Sequence, residues 1–123
     1  MHISIGSDHA GFELKESIKS HLKNKGHDLE DMGAFSLESV DYPDFAKKVS
    51  ISVEKGSSEM GVLVCGSGIG MCIAANRFAK VRAAVLRSDE DATLSRAHND
   101  ANVACLGARL TTAEDAYRFI DLF

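Results

Sequence analysis

The stretch Cys65-Gly66-Ser67-Gly68-Ile69-Gly70 sets a thiol at the head of three glycines spaced by single residues. A thiol is mostly protonated at neutral pH. Backbone N–H groups of a tight loop, followed by a helix N-terminus, favour its thiolate. The same N–H groups form a site for a negative charge. Together they suit removal of a proton beside a carbonyl, where one base takes the proton and nearby N–H groups hold the anion that forms. Other candidate groups are Ser7-Asp8-His9, His98-Asn99-Asp100 and Gly107-Ala108-Arg109. His9 and His98 could serve as acid or base. Asp8 and Asn99 could bind hydroxyl groups.

Each of these features also has a plainer reading. A free cysteine is most often a small buried hydrophobe, and position alone leaves Cys65 open between that role and catalysis. The glycines could serve only a tight turn. A dinucleotide fingerprint would read Gly-x-Gly-x-x-Gly after the first strand, and neither the spacing nor the position fits. A metal site could be drawn from Asp8, His9, Cys65 and His98, but no compact ligand spacing supports one. Cys72, in a helical stretch, and Cys105, in a strand, read as buried structural thiols. His2, His21 and His27 read as structural or solvent-facing.

The elements that must position these groups alternate. Ile3-Ser4-Ile5 reads as a strand, and Leu14, Ile18 and Leu22 mark one face of a helix. Asp28 to Met32 reads as a polar strand near a sheet edge. Asp41-Tyr42-Pro43-Asp44 opens a helix with the only proline in its first turn, and Phe45, Val49 and Val53 lie along that helix. Gly61 to Cys65 is apolar without alternation, as in a strand covered on both faces. The glycine loop then leads into a helix running from Met71 to Phe78. Ala83 to Leu86 is a fourth strand. Ser88 with Asp91 forms a capping pair for a helix toward His98. Asn102 to Leu106 is a fifth strand, and Thr112 with Asp115 caps a last helix. Five strand–helix alternations with short connections predict a Rossmann-like, doubly wound α/β/α domain with a five-stranded parallel sheet, spanning residues 1–123. In such sheets ligands gather beyond the carboxyl ends of the strands, so the four polar groups are expected to converge on one edge.

The chain of 123 residues carries a net charge of −4, which disfavours a polyanionic partner such as nucleic acid. No apolar run reaches the length of a membrane span. Three cysteines without a Cys-x-x-Cys spacing fit a reducing, cytoplasmic setting better than a disulfide framework.

Taken in order, these residues resemble the ribose-5-phosphate isomerase B family, within the wider group that includes the galactose-6-phosphate isomerase subunits. The likeness runs through Gly6-Ser7-Asp8-His9-Ala10-Gly11-Phe12, Asp41-Tyr42-Pro43, Cys65 to Gly70, Ala74-Ala75-Asn76, Ser95-Arg96-x-His98-Asn99-Asp100-x-Asn102 and Gly107-Ala108-Arg109. It covers the chain from end to end. The resemblance implies an aldose–ketose isomerisation of ribose 5-phosphate and ribulose 5-phosphate, in the non-oxidative branch of the pentose phosphate pathway, without metal or organic cofactor. It implies Cys65 as the base at C2, His98 as the ring-opening group and Ser67 as a hydroxyl aiding proton movement. Ser67 stands where threonine is common, and the hydroxyl is kept. Asp8, His9, Tyr42, Asn99 and Arg109 are implied as substrate contacts, as are Gly66, Gly68, Ile69 and Gly70 through the loop. The resemblance further implies a homodimer, in some cases paired into a tetramer, whose sites are shared so that His98 and Asn99 serve the partner's Cys65. The resemblance implies a basic, phosphate-gripping segment beyond the last helix, and the sequence as given stops at Phe123, before it. A six-carbon sugar phosphate, such as allose or galactose 6-phosphate, is the alternative substrate. A non-catalytic sugar-phosphate-binding module is the alternative function.

Overall fold

The computed structural model describes all residues, 1–123. Its elements follow the chain as β1 (His2–Ser7), α1 (Phe12–Asn24), β2 (Asp28–Asp31), α2 (Tyr42–Glu54), β3 (Met60–Cys65), α3 (Ile69–Ala75), β4 (Ala83–Val85), α4 (Asp89–Ala97), β5 (Val103–Gly107) and α5 (Ala113–Leu122). The strands form one sheet in the order β2-β1-β3-β5-β4. Every pairing is parallel, as predicted from the alternation.

Strand geometry divides the core. Successive side chains point to opposite faces, so Val62 and Val64 of β3 join one apolar layer while Leu63 and Cys65 join the other. Ala104 and Leu106 of β5 separate from Val103 and Cys105 in the same way. The first layer is closed by Leu14, Ile18 and Leu22 of α1, Ala92 of α4, and Ala116, Phe119 and Ile120 of α5. The second is closed by Ala46, Val49 and Val53 of α2 and by Met71 and Ala75 of α3. Burying each of the larger aliphatic side chains contributes about 1.5–3 kcal/mol.

β2 is the polar edge expected from its sequence, and its charges guard the unpaired strand edge. Its last residue, Asp31, receives the ammonium of Lys15 at 2.8 and 2.7 Å and that of Lys19 at 2.8 Å. Lys15 is fully buried, and its charge also lies over the Phe12 and Phe35 rings. Asp31 accepts the Gly33 N–H as well. Burial alone would raise the Asp31 carboxyl, but the bonds from Lys15, Lys19 and Gly33 together hold it below the usual carboxylate value.

Both capping pairs form: Ser88 accepts the Asp91 N–H at 3.0 Å and Thr112 accepts that of Asp115 at 3.2 Å. One helix is shorter than the sequence suggested. α3 ends at Ala75 rather than Phe78, because the Asn76 side chain bonds both the N–H and the carbonyl of Ala83 and ties this corner to β4. No helix is long and apolar enough to cross a membrane.

Candidate active site

The chain moves outward from β1 to β2, crosses back to β3, and leaves a crevice between the carboxyl ends of β1 and β3. Asp8 follows β1 and Cys65 ends β3, and the Asp8 N–H bonds the Val64 carbonyl at 3.2 Å. A cavity at this edge is lined by Asp8, Tyr42, Cys65, Gly66, Ser67, Gly70, Arg109 and Leu110. β5 brings Arg109 in. Its Ala108 and Arg109 N–H groups bond the Cys65 and Gly66 carbonyls at 2.8 and 3.0 Å, which lays the Arg109 guanidinium against Gly66.

Cys65 is nearly enclosed, at 5% exposure, yet its sulfur faces the loop and accepts the Gly68 N–H at 3.1 Å. That turn depends on Gly68 adopting φ of 82°, a left-handed conformation that a side chain would strain. Gly107 allows a close approach: a Cβ there would lie 2.6 Å from the Ser67 backbone. A helix leaves its first N–H groups without partners inside the helix. The Ile69 N–H is taken by the Ser67 hydroxyl at 3.2 Å. The Gly70 N–H, at the cavity wall, is left for a ligand.

Asp8 is buried, and one of its carboxylate oxygens accepts the Gly11 N–H at 3.0 Å, so the other oxygen is available to the cavity. His9 stands behind the cavity rather than on its wall. Its Nδ1 accepts the Val40 N–H at 3.2 Å, which puts the neutral ring's proton on Nε2 and anchors the segment leading to Tyr42. The Tyr42 ring packs over Gly70. The Ile69 side chain is half-exposed beside the loop.

One contributor was not singled out from the sequence. Arg87 donates to the Ser67 carbonyl at 2.9 Å and clamps the loop from outside. It lies two residues beyond the end of β4, so the rule that found Asp8 and Cys65 at strand ends would also have found Arg87.

His98 and Asn99 do not join this cavity within the chain. The expected convergence on one sheet edge fails because α4 runs back across the sheet, so its C-terminus lies at the amino end of β5. The Asp100 backbone at φ of 49° ends the helix there, its N–H bonding the Arg96 carbonyl at 3.2 Å. β3 advances from Gly61, beside Val103, to Cys65, beside Gly107, so the two edges are roughly 13 Å apart at strand rise. His98 is exposed. Asn99 lines a different cleft with Asn76, Arg82 and Ser95, and its carbonyl accepts from Arg82 Nε at 2.6 Å.

The sequence matches the family described as Ribose/Galactose Isomerase over residues 3–123. The chain belongs to this family. Within it, ribose-5-phosphate isomerase B of Escherichia coli (strain K12) is 44% identical over 119 residues, covering 97% of this chain and 80% of that protein. The crystal structure of a ribose 5-phosphate isomerase from Thermotoga maritima superposes with a TM-score of 0.98 at 50% identity, covering 99% of this chain and 84% of that one. The structure of ribose-5-phosphate isomerase B from Mycoplasma genitalium with bound ribulose-5-phosphate superposes with a TM-score of 0.95 at 42% identity, covering 99% and 82%. As a ribose/galactose isomerase, the chain has the all-parallel α/β sheet of these relatives.

Proposed function

We propose that this chain interconverts ribose 5-phosphate and ribulose 5-phosphate through an enediolate, with Cys65 as the base. The reading rests chiefly on one observation: a thiol, an acid, a hydroxyl and a guanidinium line one cavity beside a loop whose Gly68 N–H bonds the Cys65 sulfur. The relative solved with ribulose-5-phosphate supports the same substrate class.

The Cys65 thiolate takes the C2 proton of the open-chain aldose, and the electron pair forms the C1=C2 bond as O1 becomes negative. Loop N–H groups, the Gly70 N–H among them, stabilise that oxygen. The Ser67 hydroxyl passes a proton from O2 to O1. The Cys65 thiol then returns its proton to C1, leaving a carbonyl at C2. Asp8, with Tyr42, orients the sugar hydroxyls. Arg109, the cation at the cavity mouth, meets the phosphate, and His9 keeps the Tyr42 segment in place. Opening the furanose ring needs a separate acid/base, which we assign to His98, with Asn99 as a hydroxyl binder. Both lie at the far edge of their own chain. We therefore assign them to the partner's cavity in a homodimer with shared sites. No step calls for a metal or an organic cofactor, and the setting we assign is cytoplasmic, in the pentose phosphate pathway.

The test is a coupled assay on five- and six-carbon sugar phosphates with the parent protein and Cys65→Ala. The expected result is preferential turnover of ribose 5-phosphate and a loss of about 10²–10⁴-fold in kcat for the variant, with substrate binding retained. Preference for allose or galactose 6-phosphate would move the substrate to six carbons. Binding without turnover by the parent would make the chain a binding module. Equal activity of parent and variant would remove Cys65 as the base.

A further inference from the structure

One peptide group joins the Cys65 sulfur to a distant cation. Its N–H, from Gly68, bonds the sulfur at 3.1 Å. Its carbonyl, from Ser67, accepts the Arg87 guanidinium at 2.9 Å. Cys65 and Arg87 therefore sit at the two ends of a single planar amide. The Ser67 carbonyl accepts no backbone N–H, so Arg87 sets the direction of that plane. Gly68 takes φ of 82°, and a glycine lets the plane beside it rotate at low cost. Turned over, the plane would offer the sulfur a carbonyl instead of an N–H. The Gly68 carbonyl belongs to the next peptide and accepts the Cys72 N–H at 3.2 Å, opening α3. Cys72 itself is half-exposed, contrary to the buried role its sequence position suggested, whereas Cys105 is buried.

Arg87 is itself held in place. Its N–H bonds an Asp91 carboxylate oxygen at 3.1 Å, and the Asp91 N–H bonds the Ser88 hydroxyl at 3.0 Å. This capping arrangement fixes the backbone from which the side chain reaches over the loop. The arginine ion pairs of the chain belong to Arg96 and Arg118, so no carboxylate pairs with the Arg87 guanidinium. A carbonyl bonded to a cation polarises its amide, and the N–H at the other end becomes a stronger donor. Such a donor counts most when the sulfur facing it carries negative charge.

We propose that Arg87 is a positioning residue for the proton transfer: through the Ser67–Gly68 peptide it keeps the Gly68 N–H on the Cys65 sulfur. The proposal rests on the reading of Cys65 as the base. Arg87 is not among the residues lining the cavity, and it acts only through that amide. Without its guanidinium the plane loses its anchor, and the sulfur holds its negative charge with one donor fewer. Binding of the sugar phosphate is left to Asp8, Tyr42 and Arg109, so the loss falls on kcat and not on KM.

The experiment measures kcat and KM for ribose 5-phosphate carrying hydrogen or deuterium at C2. It compares the parent, Arg87→Ala, Arg87→Gln, Arg87→Lys, Cys65→Ala and the double variant Cys65→Ala with Arg87→Ala. Rates are taken per folded chain, by circular dichroism. Arg87→Ala is expected to lower kcat about tenfold at unchanged KM. Its isotope effect on kcat is no smaller than the parent's, because proton removal is the step that slows. Arg87→Gln, which lacks the charge, falls with it, and Arg87→Lys, which keeps the charge, recovers most of the loss. In the Cys65→Ala background, removing Arg87 has no further effect, because its route to the reaction is gone. Parent-like kcat in Arg87→Ala and Arg87→Gln would overturn the proposal. So would a loss of equal size with and without Cys65, no recovery in Arg87→Lys, or a loss confined to KM. Full activity of Cys65→Ala would remove the base itself, and the role of Arg87 with it.

Discussion

The carboxyl and amino edges of the sheet are built differently. At the carboxyl edge, Cys65, Ser67, Asp8 and Arg109 are held by a dense set of short bonds: Gly68 to the Cys65 sulfur, Arg87 to the Ser67 carbonyl, β5 N–H groups to Cys65 and Gly66, and Gly11 to Asp8. At the amino edge, His98 and Asn99 sit exposed on a helix end, and only their backbones are engaged. One edge is preorganised for chemistry inside a single chain. The other presents side chains free to meet a second molecule. The contrast is what the proposed site, divided between two copies, would require.

The contrast can be broken first at the carboxyl edge. Gly107→Ala places a methyl 2.6 Å from the Ser67 backbone and must displace the glycine loop. A shift of that size is expected to lower kcat by about 10²-fold while circular dichroism stays native. Parent-like kcat would mean the loop tolerates movement, and the preorganisation would lose its meaning.

Next comes the brace beneath the same edge. Asp31 answers a fully buried ammonium, and the adjoining Gly33 and Ala34 peptides pair with Ser7 at 2.7 and 2.8 Å, just before Asp8. Removing one partner of a buried pair costs about 3–5 kcal/mol. Asp31→Ala should lose stability in that range by urea unfolding, and an unchanged midpoint would contradict the assignment. The same carboxylate sets a pH dependence. Its folded value lies below the unfolded one, so its contribution is complete above the ordinary carboxylate value and is lost as pH falls through the folded value. Parent and Asp31→Ala should therefore converge in melting temperature in acid and separate toward neutrality. A constant difference would contradict this.

The smallest expected effect lies at the amino edge. His98→Asn removes a side chain that is exposed in its own chain, so monomer stability should shift by less than about 0.5 kcal/mol while turnover of cyclic ribose 5-phosphate falls. A large destabilisation would give His98 a structural role instead.

Much of this frame is legible in the residues. The apolar run before Cys65, the Leu14–Ile18–Leu22 spacing and the Ser88 and Thr112 caps each correspond to an element found where the pattern puts it. Local chemistry fixes such features. Three things were not legible. The place of β5 between β3 and β4 depends on how two helices pack, which no single segment encodes. The early end of α3 comes from Asn76 meeting Ala83 across a turn. The separation of His98 from Cys65 follows from the direction of α4 across the sheet, which proximity to a strand in sequence does not reveal.

The most direct test of a divided site mixes two inactive variants. Cys65→Ala and His98→Asn are each assayed alone, then allowed to exchange subunits. If Cys65 of one chain works with His98 of the other, each mixed dimer holds one intact site, and random exchange restores about a quarter of the parent activity on cyclic ribose 5-phosphate. If each chain uses its own Cys65 and His98, no mixed dimer holds an intact site, and the activity stays at the level of the variants alone.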